Sequence, residues 1–305
     1  MHWSGVMPAI TTPFDESLHV DHDFMARHAS WLLDSGCTGI VALGSLGEAT
    51  TLAFDEKLAI LANLVATVAG RAPVVAAISA LSTTEAVALA RAAADAGCSG
   101  LMVLPPYVYR GDWRETKAHM AAIFAATPLS AMLYNNPVAY GTDFLPEHIL
   151  ELAAEHPNLH AVKESSTDVR RLAGLRALET PVTRPLDLFV GVDDLIVEGI
   201  AAGATGWIAG LVNALPVESV ALFNLAHDGL TNPASREAAF DLYRWFLPLL
   251  RMDTVPKFIQ LIKLVQQEFG HGSALVRAPR YELTGAELTA ARRIIDEARA
   301  TRPNL

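Results

Sequence analysis

The sequence predicts a (β/α)8 barrel followed by a helical extension, and three observations carry that expectation. Short aliphatic runs without polar alternation recur down the chain, the pattern of parallel strands covered on both faces. Longer Ala-rich amphipathic runs separate them, as helical crossovers must separate parallel neighbours. The third observation is a repeated junction. Asp34-Ser35-Gly36-Cys37-Thr38-Gly39, Ala96-Gly97-Cys98-Ser99-Gly100 and Ala202-Gly203-Ala204-Thr205-Gly206 each close a helix and open a strand, with glycine where a left-handed conformation ends the helix.

Taken in order, strands are expected near Val6–Thr12, Gly39–Leu43, Val74–Ile78, Gly100–Leu104, Ser130–Asn135, His160–Glu164, Leu186–Gly191 and Gly206–Ala209. Helices are expected near Asp21–Asp34, Asp55–Val68, Thr83–Ala96, Trp113–Ala126, Pro146–Glu155, Asp168–Leu178, Asp193–Ala201 and Pro216–His227. The first strand is followed by Thr11-Thr12-Pro13-Phe14-Asp15, which is not the glycine-rich phosphate turn that an open doubly wound sheet would place there. From Asn232 the alternation stops, and three helical stretches follow without a strand: Ala234–Leu250, Pro256–Phe269 and Gly285–Thr301. Residues 1–230 are therefore expected to form the barrel, and 231–305 a helical extension packed on it.

A chain of 305 residues suits one large barrel, and 51% hydrophobic against 18% charged residues supplies core material and excludes a disordered chain. Twenty-three Lys and Arg against 33 Asp and Glu give a formal charge of −10, which argues against nucleic acid as a partner. The two cysteines, Cys37 and Cys98, read as packed junction residues in a reducing, cytoplasmic setting. Met1–Pro13 lacks the basic region and apolar core of a signal peptide, and no charge-free apolar run reaches the roughly 18 residues of a membrane span.

Barrel active sites lie at the C-terminal ends of the strands. Of the five lysines, Lys57, Lys117 and Lys263 fall on helical patterns where the ammonium reaches water, and Lys257 begins a helix. Lys163 alone ends a strand, in His160-Ala161-Val162-Lys163-Glu164. An amine buried there loses its preference for charge and can attack a carbonyl to form a Schiff base. The bland alternative is a rim lysine paired with Glu164 or Asp168. Tyr134 ends the neighbouring strand and is placed to relay protons, or else is a rim tyrosine with a wet hydroxyl. Gly44-Ser45-Leu46-Gly47-Glu48 after the second strand can turn backbone N–H groups toward an anion, although many such loops look alike. Arg170-Arg171 reads as a solvated first helical turn, Asp193-Asp194 as a helix N-cap and Ser165-Ser166 as a cap. Ten scattered histidines give no metal-ligand spacing, so no metal site is expected.

Together these motifs resemble the dihydrodipicolinate synthase and N-acetylneuraminate lyase superfamily. The resemblance runs from Gly5-Val6-Met7-Pro8-Ala9-Ile10-Thr11-Thr12-Pro13-Phe14 to the last helix, through the Gly44–Glu48 loop, Tyr134-Asn135-Asn136-Pro137, Val162-Lys163-Glu164-Ser165-Ser166 and Gly203-Ala204-Thr205-Gly206 with Ile208. It implies Lys163 as the imine-forming residue and Tyr134 as proton relay. Gly44, Ser45, Leu46, Gly191 and Ile208 are implied substrate contacts. It also implies no organic cofactor, a small 2-oxo or imino acid as substrate, and a homotetramer. Departures are specific. Leu46 stands where the synthases usually carry a second hydroxyl, Ala139 where they carry a carboxylate-binding arginine, and Val108 where a tyrosine crosses the dimer interface, although Tyr107 and Tyr109 flank it. Further segments, among them Asn135–Tyr140, Gly191-Val192-Asp193-Asp194, Tyr243–Leu250 and Gly272–Arg280, look like the pyrroline-4-hydroxy-2-carboxylate deaminases. A pyruvate-dependent aldolase or condensation enzyme and a non-catalytic barrel are the alternatives.

Overall fold

The computed structural model describes residues 1–179 and 185–305. Its strands are β1 (Gly5–Pro8), β2 (Ile40–Ala42), β3 (Val74–Ile78), β4 (Gly100–Val103), β5 (Ser130–Asn135), β6 (Leu159–Glu164), β7 (Asp187–Val190) and β8 (Gly206–Ala209). Hydrogen bonding orders these eight strands β1-β8-β7-β6-β5-β4-β3-β2, and every pair is parallel. The ring is completed between β1 and β2 by the Ala9–Val41 bridge, where the Ile10 N–H donates to the Val41 carbonyl at 2.9 Å. The fold is a (β/α)8 barrel with C-terminal helices, as the alternation predicts. All residues of β2, β3, β4 and β5 are buried, which is why these strands show no polar alternation.

The helices are α1 (His22–Asp34), α2 (Phe54–Val68), α3 (Thr83–Asp95), α4 (Trp113–Phe124), the single turn α5 (Pro137–Tyr140), α6 (Pro146–Glu155), α7 (Arg170–Leu178), α8 (Ile196–Ala201), α9 (Pro216–Asp228), α10 (Pro233–Leu250), α11 (Phe258–Glu268) and α12 (Gly285–Ala300). Side-chain caps fix several starts: Asp21, Ser82 and Asp112 accept the N–H of Phe24, Glu85 and Glu115. None of the described helices is long and apolar enough to cross a membrane. Trp3 closes the floor of the barrel, its indole donating to Ser130 Oγ at 2.7 Å and meeting the Phe189 ring edge-on.

Two boundaries differ from expectation for a physical reason. The first strand stops at Pro8 and not Thr12, because past the Ile10 N–H the backbone leaves the ladder and the Thr11 N–H goes to the side-chain Oδ1 of Asn213 at 3.3 Å, while the Thr11 and Thr12 hydroxyls bond Gln266 Oε1 (2.9 Å) and the Gly47 carbonyl (2.6 Å). The stretch between α10 and α11 is an extra 3-10 turn, Arg251–Thr254, which brings Asp253 back beneath the barrel mouth. α10 packs on α9 and α12, with the Trp245 indole donating to the Ala298 carbonyl.

Candidate active site

The register of β5 and β6 sets Tyr134 directly beside Lys163. Both side chains are buried, and Lys163 Nζ lies 4.1 Å from the centroid of the Tyr134 ring. The rim ion pair considered for Lys163 is not formed. Glu164, one residue on and hence on the other face of the strand, accepts from Asn135 Nδ2 at 3.0 Å and the Ser166 N–H at 2.7 Å. Asp168 holds Arg170 Nε at 2.7 Å and accepts the Arg170 N–H that opens α7. Burial pushes the Glu164 carboxyl up, against those donors. Arg170 is the solvated residue expected, whereas Arg171 is mostly covered and donates to Asp143 Oδ2 at 2.7 Å.

Gly191 follows β7 and is the glycine this site requires. A Cβ there would lie 2.0 Å from Ser165 Oγ and 2.4 Å from Lys163 Cε, so any side chain would displace the lysine. Ser165 Oγ is buried and has no hydrogen-bond partner among the described residues. The capping expected of the Ser165-Ser166 pair belongs to Ser166 alone, whose Oγ accepts the Asp168 N–H. Ile208 is buried on β8, level with Met7 of β1.

The loop after β2 carries Gly44, Ser45 and Leu46 between two left-handed non-glycine residues, Leu43 (φ 63°) and Glu48 (φ 54°). Leu46 is buried in the core, while Ser45 Oγ reaches Tyr140 Oη at 2.5 Å. Tyr140 was not among the expected site residues. It stands on α5 with its ring 5.8 Å from that of Tyr134, edge to face, and 5.8 Å from that of Tyr107. Burial and the neighbouring Tyr134 raise its hydroxyl pKa, opposed by the hydrogen bond to Ser45. The sequence does hold a signal for α5: Asn136 caps it, Pro137 opens it and Gly141 (φ 72°) ends it. The structure thus connects Lys163, Tyr134, Ser45 and Gly191 through groups that motif reading did not include.

Lys263 corrects the expectation of a water-reaching ammonium. It is 1% exposed, and its Nζ donates to Glu48 Oε1 and the Leu275 carbonyl, each at 2.6 Å. The reason is that the α11 segment Ile262–Gln266 is buried on every side, between the loop and the barrel top. Burial lowers the Lys263 pKa, with Glu48 opposing. Glu48 Oε2 also accepts the Arg277 N–H at 3.1 Å, so the last segment of the chain grips the Ser45 loop.

Asp193 is likewise not the N-cap expected. Fully buried, it accepts from the Trp207 indole (2.9 Å) and the N–H groups of Gly210 (3.0 Å) and Leu211 (2.7 Å), tying β7 to the end of β8. Burial pushes its carboxyl up to about 6 against those donors and the charge of Lys163. Burial and the charge of Asp193 hold Asp253 well above the usual carboxylate range. Cys37 and Cys98 are buried free thiols, pushed up to about 12 by burial, as suits packed junction residues. An apolar cavity of about 520 Å³ lies among Met252, Val255, Leu261, Leu283 and Ile294 in the C-terminal helices, and its lining includes none of the site residues.

Comparison with known proteins places the chain in a family. A model of the dihydrodipicolinate synthetase family matches residues 2–298. The 4-hydroxy-tetrahydrodipicolinate synthase of Xanthomonas axonopodis pv. citri is 35% identical over 303 residues, covering 98% of this chain and 95% of its own. That of Methanoculleus marisnigri is 31% identical over 298 residues, covering 96% and 98%. Among solved structures, the dihydrodipicolinate synthase of Aquifex aeolicus shares the fold, with a TM-score of 0.90 at 24% identity over 99% of this chain and 100% of its own. The chain belongs to the dihydrodipicolinate synthetase family and is an enzyme of that family.

Proposed function

We propose that Lys163 forms a Schiff base with a small 2-oxo or cyclic 2-imino acid, and that the reaction is deamination of 1-pyrroline-4-hydroxy-2-carboxylate to 2-oxoglutarate semialdehyde and ammonia. The observation that carries the Schiff-base reading is a buried lysine whose Nζ faces a tyrosine ring at 4.1 Å while the carboxylates nearest in sequence, Glu164 and Asp168, are bound elsewhere. A buried lysine paired with neither of them can turn its amine to a substrate carbonyl, and the two carboxyls that feel its charge, Asp193 and Asp253, are both raised by burial. The Ser45 loop takes the substrate carboxylate through its hydroxyl and backbone N–H groups.

In that reaction the Lys163 amine adds to C2 of the ring imine. The ring nitrogen takes a proton and leaves C2, opening the ring to an iminium on Lys163 with a free amine on C5. Loss of a proton from C3 expels the 4-hydroxyl as water. Transfer of a proton from C5 to C3, then protonation at C4, turns the C5 amine into an imine. Two waters hydrolyse the two imines, releasing ammonia, the semialdehyde and free Lys163, so one water is consumed overall and nothing is oxidised. Tyr134 carries protons to the departing nitrogen and hydroxyl. The partnerless Ser165 hydroxyl, beside Lys163 and Gly191, is a donor for the substrate hydroxyl. Ala139 and Leu46 support a substrate with one carboxylate, since neither can bind a second one.

The second reading is condensation of pyruvate with aspartate semialdehyde, favoured by the names of the relatives that are 35% and 31% identical. Comparing kcat/KM for the two substrates separates them. Ammonia release from the hydroxypyrroline with negligible condensation is the expected result, and efficient condensation by the unaltered enzyme overturns the deaminase assignment. Borohydride trapping with pyruvate tests the shared step, because a reduced imine leaves a permanent adduct on Lys163.

A further inference from the structure

We infer that Tyr140 completes the proton path of this site from within the same chain, linking Ser45 to Tyr134 so that the relay needs no tyrosine from a neighbouring subunit. The inference rests on the Schiff-base reading of Lys163 and deepens it. Ser45 Oγ and Tyr140 Oη are 2.5 Å apart, a short O–H···O contact between two groups that can each donate and accept. The Tyr140 ring meets the Tyr134 ring edge to face at 5.8 Å, and the Tyr134 ring in turn faces Lys163 Nζ at 4.1 Å. The four groups therefore run in a row from the carboxylate loop to the amine.

One residue fixes both phenols. Asn136 donates from Nδ2 to Tyr134 Oη at 3.0 Å, and its Oδ1 accepts the Ala139 N–H at 3.0 Å, which starts the turn that presents Tyr140. The tyrosines expected at the interface are placed differently. Within the chain Tyr109 is exposed and donates to the Glu115 carboxylate at 3.2 Å, while the Tyr107 ring lies 5.8 Å from that of Tyr140, tilted by 54°. Tyr140 stays protonated at neutral pH because burial disfavours its phenolate, so it works by accepting one proton as it passes another. When Tyr134 gives its proton to a departing group, Tyr140 reprotonates it and is itself reprotonated by Ser45, which recovers a proton from solvent water, so one proton passes along the row for each one delivered. The step moves protons only; no heavy-atom bond forms or breaks at Tyr140.

Tyr140 acts through Tyr134, so its test must separate relay from shape. Exchange of the pyruvate methyl protons for deuterium, followed by NMR in D2O, reads imine–enamine proton transfer without any second substrate. In the full-length protein Tyr140→Phe should slow this exchange by about 100-fold or more, the usual contribution of a positioned proton carrier. Borohydride-trapped adduct at saturating pyruvate, the KM for pyruvate and the thermal midpoint should stay near native values. Ser45→Ala removes the same link from its other end, and the double variant should be no slower than the slower single one. Tyr109→Phe should exchange at the native rate. Native exchange in Tyr140→Phe, or a large loss in Tyr107→Phe with none in Tyr140→Phe, overturns the inference. If the native protein gives no trapped adduct, the Schiff-base reading fails and the relay falls with it. If Tyr140→Phe does not fold, Ser45→Ala decides: native-rate exchange in that variant overturns the path.

Discussion

Lys163 and Lys263 are both buried lysines, and their surroundings assign them opposite work. Lys263 has a carboxylate and a carbonyl at 2.6 Å, so its charge is held in place; Lys163 has a tyrosine face at 4.1 Å and room made for it by Gly191. Lys163→Ala should therefore abolish turnover and borohydride trapping while leaving the denaturation midpoint close to native, because no other nucleophile replaces it. Substantial residual turnover in that variant would remove the imine mechanism. Lys263→Met should instead cost about 3 kcal/mol of stability, because it removes the buried cation on Glu48 Oε1 and leaves that carboxylate only the Arg277 N–H and the Arg280 guanidinium 3.6 Å away. Denaturant titration of both variants checks the contrast, and equal midpoints would show that the Glu48 pair is not structural. Tyr134→Phe should keep trapping but lower kcat by roughly two to four orders of magnitude. A variant as fast as the native enzyme would reduce that phenol to packing.

At the scale of elements, the segment after α11 holds the Ser45 loop. Arg277 donates through both guanidinium arms to Glu56 of α2 and to the Leu18 carbonyl, while its N–H reaches Glu48. Arg277→Ala keeps the backbone N–H but removes the guanidinium bonds to Glu56, Thr51 and Leu18 that hold it against Glu48, and should raise the KM for the 2-oxo acid more than it lowers kcat. It should also cost about 1–2 kcal/mol of stability, allowing for the partly solvated Glu56. Steady-state kinetics with pyruvate exchange reads this directly, and an unchanged KM would separate the extension from the site. This coupling was not legible in the sequence, because the stretch Ile262–Gln266, buried throughout, sits in a helix whose pattern reads like one with a wet face: Lys263 looked solvated for that reason. The strands β2 to β4 were legible because burial on both faces is written into each as an unbroken apolar run, and β5 to β8 because apolar cores such as Ala131–Leu133 and Leu188–Val190 keep the same signal between polar ends. β1 ended early because the Thr11 N–H is taken by the distant Asn213 side chain and not by a strand carbonyl, and Asp193 was misread because its donors lie on β8 and beyond, not on its own helix. Lys163, Tyr134 and Ser45 were legible as odd residues at strand ends, whereas Tyr140 is visible only once α5 folds over the Ser45 loop.

Across the whole molecule, two buried titrating sites pull stability in opposite directions with pH. His28 of α1 sits against Asn213 past β8 and Gln266 of α11, and burial lowers its pKa to about 4 despite the Asn213 hydrogen bond. Between about 4 and 6.5 the unfolded chain binds a proton here that the folded one does not, so this term is complete above 6.5 and is lost as pH falls toward 4. Asp193, raised to about 6, has the other sign: the folded protein holds a proton that the unfolded chain has released, so its term weakens as pH rises from about 4 to 6. The raised Asp253 adds to Asp193, and together they offset His28 in that window. His28→Gln keeps an amide in the polar contact and removes the titration. Denaturation at pH 4.5 and 6.5 should show native stability gaining, relative to His28→Gln, about 2–3 kcal/mol between the two values, one proton's worth over two pH units. Parallel pH dependence in the two proteins would mean that His28 is protonated equally in both states, and the carboxylates alone would then govern how the barrel and its C-terminal helices respond to acid.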